Sequence, residues 1–266
     1  MSGMSLASAK ILLTGATGGL GHAIARELAS HGAELTLTGR RTAPLHALAD
    51  ELDATIIAAD LADADGVARL IDKAGPVDAL VANAGLPASG PLSGFTDADI
   101  DRTLAVNLRA PMILARNLVG GMRSRARGHL VFIGSVAGWV PTPRATVYNA
   151  TKFGLRGFSL ALRHELHNTG VGVSIVEPGF VRDAGMFADS KITLPPLYRT
   201  STPTDVARAV TRAIREDIGE ILVAPIEMRL GAALSCLSPT LMAPIQRLVG
   251  ADRINTRLDS DFHHGS

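Results

Sequence analysis

Tyr148 and Lys152 stand four residues apart in Tyr148-Asn149-Ala150-Thr151-Lys152, a spacing that puts a phenol and an ammonium on one face of a helix. The chain has only two tyrosines and four lysines, and random placement would produce such a pair roughly 0.03 times. A tyrosine titrates near pH ~10 and is a poor base at neutral pH. A neighbouring ammonium favours the phenolate and moves the phenol toward the range of an acid–base catalyst. An ordinary surface pair would use the same two residues. Ser135 lies 13 residues before the tyrosine, in Gly134-Ser135-Val136-Ala137-Gly138. It is expected at the C-terminal end of a strand, the edge where open α/β sheets bind ligands. Its hydroxyl could hold a carbonyl oxygen beside the phenol. Asn107, among apolar neighbours in Val106-Asn107-Leu108, needs a polar partner. It either fixes a water or is a satisfied core or capping amide.

A second group of residues is suited to phosphate. Thr14-Gly15-Ala16-Thr17-Gly18-Gly19-Leu20-Gly21 follows a short apolar run and opens a helical pattern. Glycines at 15, 19 and 21 allow a sharp turn and close approach of the backbone to a pyrophosphate. The helix start, with the amides of Thr17, Gly18, Gly19 and Leu20, points N–H groups at such a ligand. The next apolar run ends in Thr38-Gly39-Arg40-Arg41, without the carboxylate that would hold an adenosine ribose. Two guanidinium groups there can pair with a 2′-phosphate in forked geometry, which points to NADP(H). Alternatively, both arginines cap or solvate the helix that follows. Asp60 and Leu61 come just past the third run, within reach of an adenine amino group. Asn83, Ala84 and Gly85 follow the fourth, at the same edge.

These residues are spaced by a regular alternation. Apolar runs at 10–14, 34–38, 55–59, 77–82, 129–134, 172–176 and 220–224 predict strands, and helical spacing marks 19–31, 43–52, 63–73, 97–125, 145–169 and 203–217. Continuous apolar strands alternating with amphipathic helices predict a doubly wound parallel sheet covered on both faces. With neither linker nor internal repeat, one domain over residues 1–266 is expected, its core at 8–225. Pro111 is expected to kink or break the fourth helix. Residues 180–202, rich in Gly and Pro, do not fit the alternation and are expected to form a lid. Residues 226–250 form an apolar C-terminal extension. Packing against the body or another subunit is expected there, and peripheral membrane contact is the sharper alternative. The charge-free stretch within it is too short and too broken by Pro239 and Pro244 for a membrane span.

The combination of Thr14–Gly21, Ala82-Asn83-Ala84-Gly85, Asn107, Ser135, Tyr148-x-x-x-Lys152 and Pro178-Gly179 resembles the classical short-chain dehydrogenase/reductase family, over residues 8–225 and in family order. The resemblance implies a single-domain Rossmann fold, a seven-stranded parallel sheet in the order 3-2-1-4-5-6-7. It implies that Tyr148 is the general acid/base and that Ser135 orients and polarises the carbonyl. Lys152 would bind the nicotinamide ribose and lower the tyrosine pKa. Asn107 would hold a relay water behind that lysine, and Asn83 would support the central sheet near the cofactor. Pro178, Gly179 and Val181 would line the nicotinamide end. A dimer or tetramer, paired through the helices around 97–125 and 145–169, is implied in the same way. Asp183 departs from the family pattern, which has a threonine touching the nicotinamide carboxamide. Arg182 is placed to neutralise it.

The expected activity is therefore NADP(H)-dependent interconversion of a carbonyl and a secondary alcohol. The pocket walls expected around the reacting carbon are chiefly apolar: Leu86, Ala88, Ser89 and Val136, then Trp139, Val140 and Pro141, then Phe180, Met186 and Phe187. They favour a lipophilic substrate. The rival function is a non-catalytic NADP(H)-binding, redox-responsive module, since fold does not fix function. A net charge of +1 gives no electrostatic case for a nucleic-acid partner. The single cysteine, Cys236, excludes an intramolecular disulfide or a cysteine-based zinc cluster. The first residues lack the pattern of a signal peptide, so a cytoplasmic location is expected. Two terminal histidines read as part of a frayed polar tail, and no metal is expected.

Overall fold

The computed structural model describes residues 3–183, 185 and 199–237. Strands β1 (Lys10–Thr14), β2 (Glu34–Gly39), β3 (Thr55–Ala58), β4 (Ala79–Ala82), β5 (Gly128–Ile133), β6 (Val171–Pro178) and β7 (Glu220–Val223) form one parallel sheet in the order β3-β2-β1-β4-β5-β6-β7. The helices are α1 (Gly19–Ser30), α2 (Thr42–Leu52), α3 (Ala64–Ala74), α4 (Asp97–Leu104), α5 (Ala110–Ser124), α6 (Thr146–Glu165), α7 (Pro203–Glu216) and α8 (Ile226–Leu237).

Period-two alternation divides the central strands between two cores. Ile11 and Leu13 of β1, Val81 of β4 and Val131 and Ile133 of β5 join α1, α2 and α7 on one face. Leu12, Leu80, Leu130 and Phe132, from the same strands, join α3, α5 and α6 on the other. Apolar residues at every position therefore mark strands buried on both sides, as β4, β5 and β6 are throughout. Capping boxes at Thr96/Asp99 and Thr202/Asp205 start α4 and α7.

The helical stretch over 97–125, expected to be kinked or broken at Pro111, is divided, with a π turn at Ala105–Arg109 between α4 and α5. Pro111 has no N–H to offer the Asn107 carbonyl four residues earlier. The chain widens there, and the Ala110 N–H reaches back to the Ala105 carbonyl. Asn107 thus sits inside the irregular turn.

Of the segment expected as a lid, residues 184 and 186–198 lie outside the described residues. Its base is stapled. The Ser201 N–H donates to the Phe180 carbonyl at 2.9 Å, the Arg182 N–H donates to the Ser201 carbonyl at 3.0 Å, and the Ser201 hydroxyl donates to the Val223 carbonyl at 3.1 Å. Of the apolar extension, α8 is described and 238–250 is not. Ala232 and Ser235 of α8 are buried, which bears out packing against the body for this face. Ile226, Leu230, Leu234 and Leu237 are exposed in a stripe on the same helix. Among the described residues no helix is long and apolar enough to cross a membrane.

Candidate active site

Strand order reverses between β1, which pairs with β2, and β4, reached only after the chain returns from β3. Beyond the C-terminal ends of the strands at this switch point lies a cleft of about 790 Å³. Gly15, Thr17, Gly18, Gly19, Leu20 and Gly21 line one end of it, and Arg40, Arg41, Asp60 and Leu61 stand beside them. Asn83, Ala84 and Gly85 form the middle, and Ser135, Tyr148 and Gly179 the far end. Lys152, Asn107, Pro178 and Val181 do not line it. They lie behind its wall.

The glycine turn is built for close approach. Gly15 has φ +66°, and a Cβ there would lie 2.7 Å from the Ala84 Cα. A Cβ on Gly21 would lie 2.2 Å from the Gly15 carbonyl oxygen. Neither position admits a side chain without moving backbone. The Thr14 hydroxyl, at the end of β1, accepts from the Asn83 and Ala84 N–H groups at 3.0 Å each. The Asn83 amide donates to the Thr14 and Gly15 carbonyls at 3.1 Å. Asn83 therefore joins the β4 edge to the glycine turn. Among the described residues this cradle fits the pyrophosphate of a dinucleotide.

At the adenosine end, Arg41 donates to the Thr17 carbonyl at 2.5 Å and is a clasp on the turn as well as a surface cation. Arg40 is exposed beside it. Burial alone would raise the Asp60 carboxyl. The Ala62 N–H at 3.0 Å, Arg102 at 3.0 Å and the nearby Arg40 outweigh it and hold the carboxyl below its usual value. Neither Arg102 nor the Thr14 bridge is legible from local pattern, because both partners are remote along the chain.

At the other end, Ser135 closes the turn after β5, its hydroxyl accepting from the Ala137 N–H at 3.1 Å. The Ser135 hydroxyl and the Tyr148 phenol both face the far end of the cleft, where the serine favours the ionised phenol. Lys152, one turn along α6, is 4% exposed, and its Nζ donates to the Ile133 carbonyl at 2.9 Å. It lies 5.5 Å from the Tyr148 ring centroid. Burial pushes the Tyr148 phenol up to about 12, against the smaller effect of Ser135. Burial pulls Lys152 down to about 8, against the Glu177 carboxylate. Loss of solvent sets the direction for the phenol here, and the Lys152 ammonium is engaged by the Ile133 carbonyl.

The Asn107 side chain has a different task from the water-binding one implied for it. Its Oδ1 accepts from the Leu86 N–H at 2.6 Å and its Nδ2 donates to the Leu86 carbonyl at 2.8 Å. A longer contact, 3.4 Å, reaches the Thr151 hydroxyl. The amide is consumed in clamping the 83–86 loop to the helix turn.

Around the reacting end, Leu86, Ala88, Ser89, Val136 and Phe180 line the cleft as expected. Trp139, Val140 and Pro141 do not. The Trp139 indole is turned back into the body and donates to Glu177 Oε2 at 2.5 Å. Met186 and Phe187 lie outside the described residues. Asp183 has φ +69°, is largely exposed and does not line the cleft. Its carboxylate pairs with Arg182 Nε at 3.3 Å. The sequence signal for Glu177 was a charge embedded in an otherwise apolar strand, Val171–Pro178.

The fold and cleft define a nucleotide-binding α/β protein with Ser135 and Tyr148 at the far end of its groove. Residues 9–193 match the family model for short chain dehydrogenases. The ketoacyl reductase HetN of Nostoc sp. is 34% identical over 95% of this chain and 93% of its own. A metagenomic short-chain oxidoreductase solved in complex with NADP is 35% identical, covering 84% of this chain and 99% of its own with a TM-score of 0.71. A structure described as a putative betaketoacyl-ACP reductase covers 82% of this chain and 97% of its own, at 29% identity and a TM-score of 0.74. The chain belongs to the short-chain dehydrogenase/reductase family.

Proposed function

We propose that this protein is an NADP(H)-dependent oxidoreductase that reduces a lipophilic ketone to a secondary alcohol, with Tyr148 as proton donor. The observation that carries this is the pair of hydroxyl-bearing residues, Ser135 and Tyr148, at the end of a cleft whose other end is a glycine turn flanked by Arg40 and Arg41. Bound NADPH would supply the hydride. Gly15, Gly21 and the amides of 17–20 would hold its pyrophosphate, Arg40 and Arg41 its 2′-phosphate, and Asp60 and Leu61 the adenine. Asn83, Ala84 and Gly85 would follow the ribose, and Pro178, Gly179 and Val181 would shape the nicotinamide end. The NADP held by the metagenomic relative supports the choice of cofactor.

Ser135 donates to the substrate oxygen and stabilises the charge that develops there. Tyr148 gives that oxygen its proton. A phenol is protonated at neutral pH and can supply that proton. Lys152 holds the ribose side of the cofactor and positions the phenol. With the Asn107 amide occupied, its main-chain carbonyl, deprived of an α-helical donor by Pro111, is the group left to hold a relay water.

The apolar walls Leu86, Val136 and Phe180 favour a lipophilic substrate, and the names of the relatives make 3-oxoacyl esters the first compounds to try. The decisive test is NADPH oxidation over such a panel with Tyr148→Phe as control. Loss of turnover by about 10²-fold or more with NADPH binding retained is expected. Binding of NADPH with turnover on no carbonyl would favour the non-catalytic module.

Leu104, Met112 and Phe153 are exposed on α4, α5 and α6, which supports pairing of subunits through those helices. The exposed stripe of α8 is a separate apolar surface and supports peripheral membrane contact, tested by flotation with liposomes with and without residues 226–266.

A further inference from the structure

Glu177 is the penultimate residue of β6, two residues before Gly179, and its side chain is wholly buried. Gly134 and Gly138 make room for it: a Cβ on Gly134 would lie 2.8 Å from Glu177 Cγ, and one on Gly138 would lie 3.3 Å from Oε1. The Trp139 indole donates to Oε2 at 2.5 Å. The Arg156 guanidinium stacks on the same indole, 3.8 Å from the ring centroid. Its Nε is 3.8 Å from Glu177 Oε1 and 2.6 Å from Glu220 Oε1. The carboxylate, the indole, the guanidinium and Glu220 close into one network.

The network's members come from the parts of the chain that hold the reacting groups. Trp139 follows the turn that begins at Ser135, and the Ser135 hydroxyl caps that turn. Arg156 is one turn beyond Lys152 and two beyond Tyr148 on α6. We propose that Glu177 is a positioning residue: its buried carboxylate ties the Ser135 turn, through Trp139, to Arg156 on the helix of Tyr148 and Lys152, and its charge helps to hold the Lys152 ammonium. This rests on the reduction proposed above.

The charged and titratable groups facing Glu177 are Lys152 and Arg156 of α6 and Glu220 of β7, with Cys236 of α8 acting on Arg156. Burial pushes Glu177 up to about 8, with Trp139 working against it, Glu220 adding to it and Arg156 opposing it. Its anion therefore forms in the range where Lys152 loses its proton, and each ionisation favours the other.

Trp139 is the only tryptophan in the chain, so its emission reports this contact without any substrate. Wild type is expected to show an emission change with a midpoint near pH 8 that is absent in Glu177→Gln, which keeps an acceptor for the indole. In the reductase assay, Glu177→Gln is expected to lose about tenfold in kcat, with NADPH Kd within about threefold of wild type. The alkaline limb of its kcat profile should move down by about half a pH unit, because Lys152 loses a neighbouring anion. Trp139→Phe keeps the charge and breaks the tie, so kcat should fall without movement of that limb. An emission titration unchanged in Glu177→Gln, or an alkaline limb that coincides with wild type, would overturn the proposal. A wild-type protein that reduces no carbonyl but shows the emission change would sink the reaction and the catalytic part of this role, with the Glu177–Trp139 contact established.

Discussion

Replacing Asn107 by leucine separates two tasks for its amide, a clamp on the 83–86 loop or a holder of a proton-relay water. Leucine keeps most of the volume and removes both bonds to Leu86, at 2.6 and 2.8 Å. An N–H and a carbonyl of Leu86 then lose their partners. Each costs about 1–3 kcal/mol if sealed from water. Leu86 is only half-buried beside the cleft, so the lower part of that range applies, about 2–3 kcal/mol for the two together. In a protein of this length that is a fall in melting temperature of roughly 4–10 °C. The loop carries Asn83, Ala84 and Gly85, so NADPH binding should weaken by about tenfold at the same time. Differential scanning fluorimetry and calorimetric titration with NADPH measure the two effects. A melting temperature within about 1 °C of wild type, together with a large loss of kcat, would refute the clamp and restore the side chain to a relay role.

The Arg40→Ala/Arg41→Ala double variant should raise the KM for NADPH by about 10²-fold and that for NADH far less, since charged hydrogen bonds contribute about 1.5–3 kcal/mol each. Arg41→Ala alone should raise both, because the clasp on Thr17 is lost with it; equal effects of the double variant on both cofactors would reject the phosphate pairing. His129 is buried against the Ser174 hydroxyl at 2.8 Å, and burial pulls its pKa from 6.5 to about 4. The unfolded chain binds this proton first as pH falls, so the stabilisation is complete above pH ~6.5 and is lost progressively down to about pH 4, by about 3 kcal/mol. Urea melts at pH ~7 and ~4.5 should show the loss, and His129→Gln should flatten it. Gly21→Ala should abolish dinucleotide binding, read by the same titration, because the added methyl would meet the Gly15 carbonyl.

The strand positions and the two ends of the cleft were legible because each rests on local pattern, whereas the sheet order was implied only by the family resemblance. Ile11-Leu12-Leu13 is apolar at every position because both faces of β1 are covered. The glycines of the turn stand where only a missing side chain fits. What was not legible depends on where side chains turn once the chain is packed. Trp139 looks like a pocket wall in sequence, yet its N–H finds a carboxylate on β6 and the ring turns away from the cleft. Asn107 was marked as needing a partner, but the partner is backbone 21 residues away. Pro111 signalled the break in the helix, while its form, a widened turn, depends on the bonds still available around the missing N–H. The burial that pushes the Tyr148 phenol up was not legible, because solvent loss is a property of the assembled site.

The packing of α8 bears on the edge of the cleft at Gly179. A Cβ on Gly179 would lie 2.7 Å from Met228 Sδ and 3.2 Å from the Ala224 Cβ. The smallness of residue 179 is therefore imposed from behind the cleft as well as from within it. A side chain can be gained at 179 only if residue 228 shrinks, so the two sites are expected to change together among homologues. Grafting this C-terminal helix onto a relative with a larger residue at the matching position would displace the cofactor turn, and exchange of the tail alone would fail where exchange of the pair succeeds.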